Sequence, residues 1–250
     1  MRMMKTDSGT IKTVKLQKYL ALAGLGSRRK CEEIINERVV SVNGETVLRP
    51  GIRVSFNDIV RVGDKIVRPL GKKIYLALNK PTGYICSNSD SLGRQIARDL
   101  LPDEYKKYHL YNVGRLDYNS SGLIFYTNDG DFANIIMHPS FGVKKMYRVK
   151  TSKDIDRRKL KSYKREGTEI KSIKYTLEDY ELLSPREVIL TLNEGKNREI
   201  RRVFDFWGID VKELERIKIG IVELGELRKG DFRKLTAGEI RWFLSKQRSD

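Results

Sequence analysis

Arg115 and Asp117 stand two residues apart where the run "HLYNVG" gives out, just before the apolar stretch "SSGLIFYT". On an extended segment, residues i and i+2 point to one face, so the guanidinium and the carboxylate share a side. A buried carboxylate near an arginine stays ionised, because the opposite charge offsets its desolvation. Compared with apolar packing, such a pair is usually no gain in stability. A fold that keeps one has a use for the anion. The alternative is an aspartate that only caps the turn "DYNSSG". Two further segments carry candidate partners. "KKMYRV" alternates, so Tyr147 faces away from Met146 and Arg148. In "NREIRRVFDFWG", Arg198 and Arg202 are four apart and share a helix face, whereas Arg201 points elsewhere.

These segments need elements to hold them. From Ile74 onward strand-like runs dominate: "IYLALNK" ending in "KPTGY", then "HLYNVG", "LIFYT", "KKMYRVKT", and the pair "KYTLEDYELL" and "EVILTLNEG". Helices are expected over "DFANIIM", ended by His138-Pro139, and over "NREIRRVFDFWG", ended by Gly208. Strands with hairpin-length loops and a few helices predict an α+β fold with a mixed, mostly antiparallel sheet. No GxGxxG or Walker pattern is present, so no nucleotide cofactor is expected.

Composition narrows the partner. The chain has 250 residues, with 50 Lys and Arg against 33 Asp and Glu, a formal net charge of +17. Self-repulsion of that size opposes folding, so a polyanionic partner is expected, nucleic acid before an anionic membrane surface. No apolar run reaches the ~18 residues that span a bilayer. The start, "MRMMKTDSGTIKTVK", lacks the apolar segment of a signal peptide. Cys31 and Cys86 are far apart, and only His109 and His138 could join them, so no metal site is expected. A reducing cytoplasm and a monomer fit this reading.

The first sixty residues form a module of their own. In "LQKYLALAGLGSRRKCEEIINERVVSVNGETV", Leu16, Tyr19, Leu20 and Ala23 recur at helical spacing, and Gly24 and Gly26 stop that helix. Ser27 is placed to cap a second helix. Asn43-Gly44 predicts a two-residue hairpin. Arg28, Arg29 and Lys30 occupy the first turn of the second helix, where cations oppose the macrodipole. A bound phosphate would reverse that sign; a solvated basic turn is the alternative. This stretch resembles the S4 RNA-binding domain over residues 14–62, which implies that Ser27, Arg28, Arg29 and Lys30 face structured RNA. "GDKIVRPLGKK" reads as a linker over 63–73, leaving 74–245 for the larger domain.

Taken together, "LNKPTGY", "NVGRLDYNSSGLIFYTNDG", "KKMYRV", "NEGKNREIRRVFDFWG" and "RKLTAGEI" strongly resemble the RNA pseudouridine synthases, in particular the RsuA/RluB/RluE/RluF branch, which pairs an N-terminal S4 domain with this catalytic domain. The resemblance spans residues 14–240. It implies an isomerase that detaches uracil from ribose and rejoins it through C5 without cofactor or metal. Asp117 would be the essential carboxylate, with Arg201 paired to it and Arg115 preceding it. Ile200 would pack on the uracil and Tyr147 would stack on it. A carboxylate in that role must be desolvated yet ionised.

Reaching a uridine in folded RNA requires flipping it out, at a cost of a few kcal/mol. The stretch from Lys144 to Arg165 holds eleven basic residues against two acidic ones and reads as a phosphate-gripping surface. Lys144, Lys145, Lys80, Arg198 and Arg202 would meet the RNA. The expected substrate is ribosomal RNA, the large subunit before the small. The alternatives are the same chemistry on transfer RNA, or a non-catalytic RNA-binding or ribosome-assembly factor.

Overall fold

The computed structural model describes residues 13–88 and 90–248. Most of the N-terminal stretch read above for a signal peptide lies outside them. Among the described residues no helix is long and apolar enough to cross a membrane. The chain divides into two compact units. One takes the described residues up to Lys73 together with Asp103–Leu110; the other takes Ile74–Pro102 and everything described from Tyr111 onward.

The first unit runs β1 (Thr13–Lys15), α1 (Leu16–Leu22), α2 (Arg28–Asn36), β2 (Val40–Val42), β3 (Glu45–Thr46), β4 (Arg53–Ser55), β5 (Val60–Val62) and β6 (Lys65–Val67). Strands β3, β2, β5 and β6 form an antiparallel sheet in that order, and β1 pairs with β4. Leu16, Tyr19, Leu20, Cys31, Ile35, Val40, Val54 and Val60 form its core. Between β2 and β3, Asn43 and Gly44 both have positive φ, 53° and 90°, as a type I′ hairpin turn demands. The boundary differs from the sequence reading. The stretch 63–73, expected to be linker, contains β6, because Lys65, Ile66 and Val67 alternate and pair with Val62, Arg61 and Val60. Residues 103–110, expected in the larger domain, group with the first unit.

The second unit contains β7 (Tyr75–Lys80), β8 (Tyr111–Val113), β9 (Ser121–Thr127), α3 (Gly130–Met137), β10 (Lys145–Thr151), α4 (Arg157–Glu166), β11 (Thr168–Ile170), β12 (Ile173–Tyr175), β13 (Asp179–Ser184), β14 (Glu187–Leu192), α5 (Glu199–Phe206), β15 (Val211–Ile219), β16 (Val222–Glu223), β17 (Phe232–Lys234) and α6 (Ala237–Ser245). Its main sheet follows the order β13-β14-β10-β15-β9-β7-β17, with β16 beside β15 and β8 beside β9. Only the β15–β9 pairing is parallel, so the sheet is mixed and mostly antiparallel.

Strand β9 explains the centre. All seven residues of "SGLIFYT" are buried, the signature of a strand covered on both faces. On one face Leu123 and Phe125 pack with Phe132 and Ile136 of α3 and Phe243 of α6. Helix α3 starts where the Asp129 carboxylate accepts from the N–H groups of Asp131 and Phe132. Helix α6 starts on a capping box between Thr236 and Glu239. Each such cap contributes roughly 1 kcal/mol.

Candidate active site

Strand β8 ends at Val113, and Gly114 with φ 75° turns the chain out of the sheet. Residues 115–120 then cross to β9 as a turn closed by the Ser120 N–H donating to the Asp117 carbonyl. The turn is held from two sides. Gly83, in "KPTGY", donates its N–H to the Tyr118 carbonyl, and Arg201 donates through Nη2 to the Asn119 carbonyl at 2.7 Å. Cys86 Sγ accepts from the Leu116 N–H at 3.3 Å. Leu116 is buried, and Arg115, Leu116 and Asp117 all line one cleft, so the turn presents three successive residues to it rather than alternate ones. The cleft has a volume of about 590 Å³.

The Asp117 side chain is 32% exposed, so it is not the fully buried carboxylate expected from the sequence; it opens onto the cleft. Its ion-pair partner also differs. Arg198 Nη1 lies 3.6 Å from Asp117 Oδ2. Arg201, expected to make that pair, donates to the carbonyls of Val211 and Asn119 instead. Two main-chain acceptors draw its guanidinium behind the turn. Arg201 therefore fixes the loop that carries Asp117, and burial, with Arg198 nearby, pushes its guanidinium below the ordinary arginine range, an effect Asp117 partly offsets. Arg198 itself sits just before α5 with φ 52°. The first turn of that helix is tied by Glu199, whose buried carboxylate accepts from the Lys196 N–H and from the Tyr163 hydroxyl. Arg198, Arg201 and Arg202 together line a smaller depression of about 350 Å³. Arg202 donates to the Tyr175 hydroxyl and to Asn197 Oδ1.

Tyr147 on β10 and Ile200 on α5 are buried and line the Asp117 cleft, which thereby has one aromatic and one aliphatic wall. Lys145 also lines it, and burial, reinforced by the Arg216 guanidinium, brings its ammonium down to about 8. Lys144 is exposed and paired with Glu178. Lys80, expected to meet the RNA, does not reach the surface. It is completely buried, donates through Nζ to the carbonyls of Pro81 and Tyr84, and is brought down to about 8 by burial. It closes the "KPTGY" turn on itself and cannot grip a phosphate from that position. Ser27 accepts from the Lys30 N–H, as expected of a cap, while Arg28, Arg29 and Lys30 are exposed at the start of α2.

The sequence motifs do not single out Arg216 on β15. It is 4% exposed and lines the cleft. The signal was present in "KELERIKI", where Arg216 alternates in phase with buried Leu214, an inward position for a strand residue. Among the described residues no three His, Cys, Asp or Glu side chains gather as a metal site. An open carboxylate, paired with a cation and flanked by a flat aromatic ring, suits attack on, or proton removal from, a planar heterocycle and its sugar.

Comparison with known proteins identifies the family. The sequence pattern of RNA pseudouridylate synthases matches residues 74–205, and that of the S4 domain matches 14–68. An uncharacterized RNA pseudouridine synthase of Borreliella burgdorferi is 40% identical over 92% of this chain and 93% of that protein. The ribosomal large subunit pseudouridine synthase B of Bacillus subtilis is 37% identical over 91% of this chain and 94% of that protein. A pseudouridylate synthase crystal structure superposes with a TM-score of 0.67 at 29% identity, covering 92% of this chain and 99% of that one. With both sequence patterns matched and relatives 37–40% identical along nearly the whole chain, the chain belongs to the RNA pseudouridylate synthase family, isomerases acting on RNA, in the form that carries an N-terminal S4 domain.

Proposed function

We propose that this protein converts a uridine of large-subunit ribosomal RNA to pseudouridine, with Asp117 acting on a nucleotide turned out of the RNA. The observation that carries the reading is the Asp117 carboxylate, opening into a 590 Å³ cleft that Tyr147 and Ile200 also line. That volume lies within the roughly 300–1,000 Å³ of sites that enclose a small ligand, and an extruded nucleoside is of that class. Large-subunit RNA is favoured by the Bacillus subtilis relative, whose name states that target. The protein works in the cytoplasm, as a monomer and without cofactor.

Contacts to the RNA backbone supply the few kcal/mol that flipping costs. Arg198 on the cleft, Arg202 in the neighbouring depression, Lys144 just before β10 and Lys145 at its start, and Arg28, Arg29 and Lys30 on α2 are the candidates. Arg198 thus serves in two ways, pairing with Asp117 before substrate arrives and meeting phosphate afterwards. Arg115 lines the same cleft and is assigned to the nucleotide's phosphate or ribose.

The test uses large-subunit RNA lacking the modification, incubated with the protein, digested and separated as nucleosides. Pseudouridine should form with the unaltered protein, and Asp117→Asn should reduce turnover by on the order of 10³-fold or more while RNA binding persists. Turnover by Asp117→Asn at the unaltered rate removes the assignment. Modification of transfer RNA alone moves the same chemistry to another substrate.

A further inference from the structure

Arg216 is a buried arginine on the cleft wall. It stands opposite Tyr147 across the β10–β15 pairing, at a register shift between Met146 and Tyr147, and opposite Gly122 across β15–β9. Its guanidinium has three nitrogens with distinct surroundings. Nε donates to the Leu123 carbonyl at 2.6 Å, which locks the side chain to β9. Nη1 reaches the Tyr147 hydroxyl at 3.4 Å. Nη2 is buried and has no hydrogen-bond partner. The guanidinium carbon lies 5.9 Å from the Tyr147 ring centroid.

A guanidinium has donors and no acceptor, whereas a tyrosine hydroxyl has one donor and two lone pairs. The contact at Nη1 therefore uses a lone pair of Tyr147 Oη. Its proton must point elsewhere, and the side that remains is the cleft that Tyr147, Asp117 and Arg216 all line. A buried arginine with one unsatisfied nitrogen costs stability, because that donor is desolvated and gets no bond in return. An apolar residue at this inward strand position would avoid that cost. The arrangement is understandable if the hydroxyl needs a fixed orientation.

We infer that Arg216 is a positioning residue: by donating to Tyr147 Oη it fixes the ring and aims the phenolic O–H into the Asp117 cleft, toward the bound nucleotide. This inference rests on the proposed uridine isomerisation at Asp117.

The experiment is a double-mutant cycle of Arg216→Lys with Tyr147→Phe, read as single-turnover pseudouridine formation on unmodified large-subunit RNA. Arg216→Lys keeps a cation but loses the fork that serves Leu123 and Tyr147 together. It should lower the rate about tenfold or more while changing the RNA concentration for half-maximal rate by less than about twofold. In the Tyr147→Phe background the same change should cost little more, because the hydroxyl it acts on is gone. Equal losses in both backgrounds, or an unchanged rate per folded molecule, overturn the inference and leave Arg216 as a strut.

Where a variant is unfolded or too slow to follow, nitrogen-15 NMR decides on proteins with Arg216 intact. Rotation about the Arg216 Cζ–Nη1 bond should speed up in Tyr147→Phe, and an unchanged rotation rate overturns the inference. Asp117→Asn, run in the same assay, separates the two claims. If it retains turnover the reading of the site fails, whatever the cycle gives.

Discussion

The start of α2 and the elements that back the cleft hold their cations in opposite ways. At the start of α2, Arg28, Arg29 and Lys30 are exposed, Lys30 pairing with Glu33 at 3.0 Å, on a helix whose first turn has no acidic residue. Around the cleft, Lys80, Arg201 and Arg216 are withdrawn from solvent and donate to main-chain carbonyls. An exposed cation is worth what its partner brings, and salt in the medium weakens it. A withdrawn one is part of the scaffold and answers to packing and pH instead. The net charge of +17 thus combines two populations, one available to a polyanion and one that builds the site.

The contrast can be broken most forcefully at Gly122. Its φ is 106°, and a Cβ there would sit 2.4 Å from the Arg216 carbonyl oxygen and 2.6 Å from its nitrogen. Gly122→Ala combines backbone strain with a clash that only parting β9 from β15 relieves, and should cost about 3 kcal/mol or more in urea unfolding. A loss below about 1 kcal/mol would show that the withdrawn cluster is looser than its geometry says.

Lys80 gives the next largest effect. Its folded value of about 8 lies below the ordinary 10.5, so folding disfavours the ammonium relative to the unfolded chain. The penalty is fully present below about pH 8 and is relieved as pH rises toward 10.5. The stability of the unaltered protein minus that of Lys80→Met should therefore rise across that window, by about 1.4 kcal/mol per pH unit. A flat difference would place Lys80 among the hydrated cations.

On the exposed side, replacing Arg28, Arg29 and Lys30 by Gln should leave unfolding nearly unchanged. The slope of log affinity for RNA against log salt should flatten by about 2 to 3, because fewer counterions are released. An unchanged slope would remove α2 from the interface. The smallest effect is at Ser27. Ser27→Ala loses the bond from the Lys30 N–H and should cost about 1 kcal/mol in the first unit.

What could be read beforehand follows the range of the forces involved. The Asn43-Gly44 hairpin, the Ser27 cap, the inward phase of Tyr147 and the apolar run of β9 are set by neighbours in the chain, and each stands where the pattern placed it. Pairings across the fold were not legible. Whether Arg198 or Arg201 met Asp117 depended on where the carbonyls of Val211 and Asn119 lay. Lys80 looked like a surface cation because nothing local shows the turn folding its carbonyls back over the ammonium. Strand β6 was obscured by charges and Gly71, yet three residues sufficed to add it to an existing edge.

Residue 198 has one more consequence. A side chain at φ 52° is held in a backbone region that glycine occupies freely, at a strain of about 1 kcal/mol or more. Arg198→Gly would relieve that strain and at the same stroke remove the guanidinium beside Asp117. Selection for durability and selection for turnover therefore pull this position in opposite directions. A lineage bred only for heat resistance would be expected to give up its arginine here.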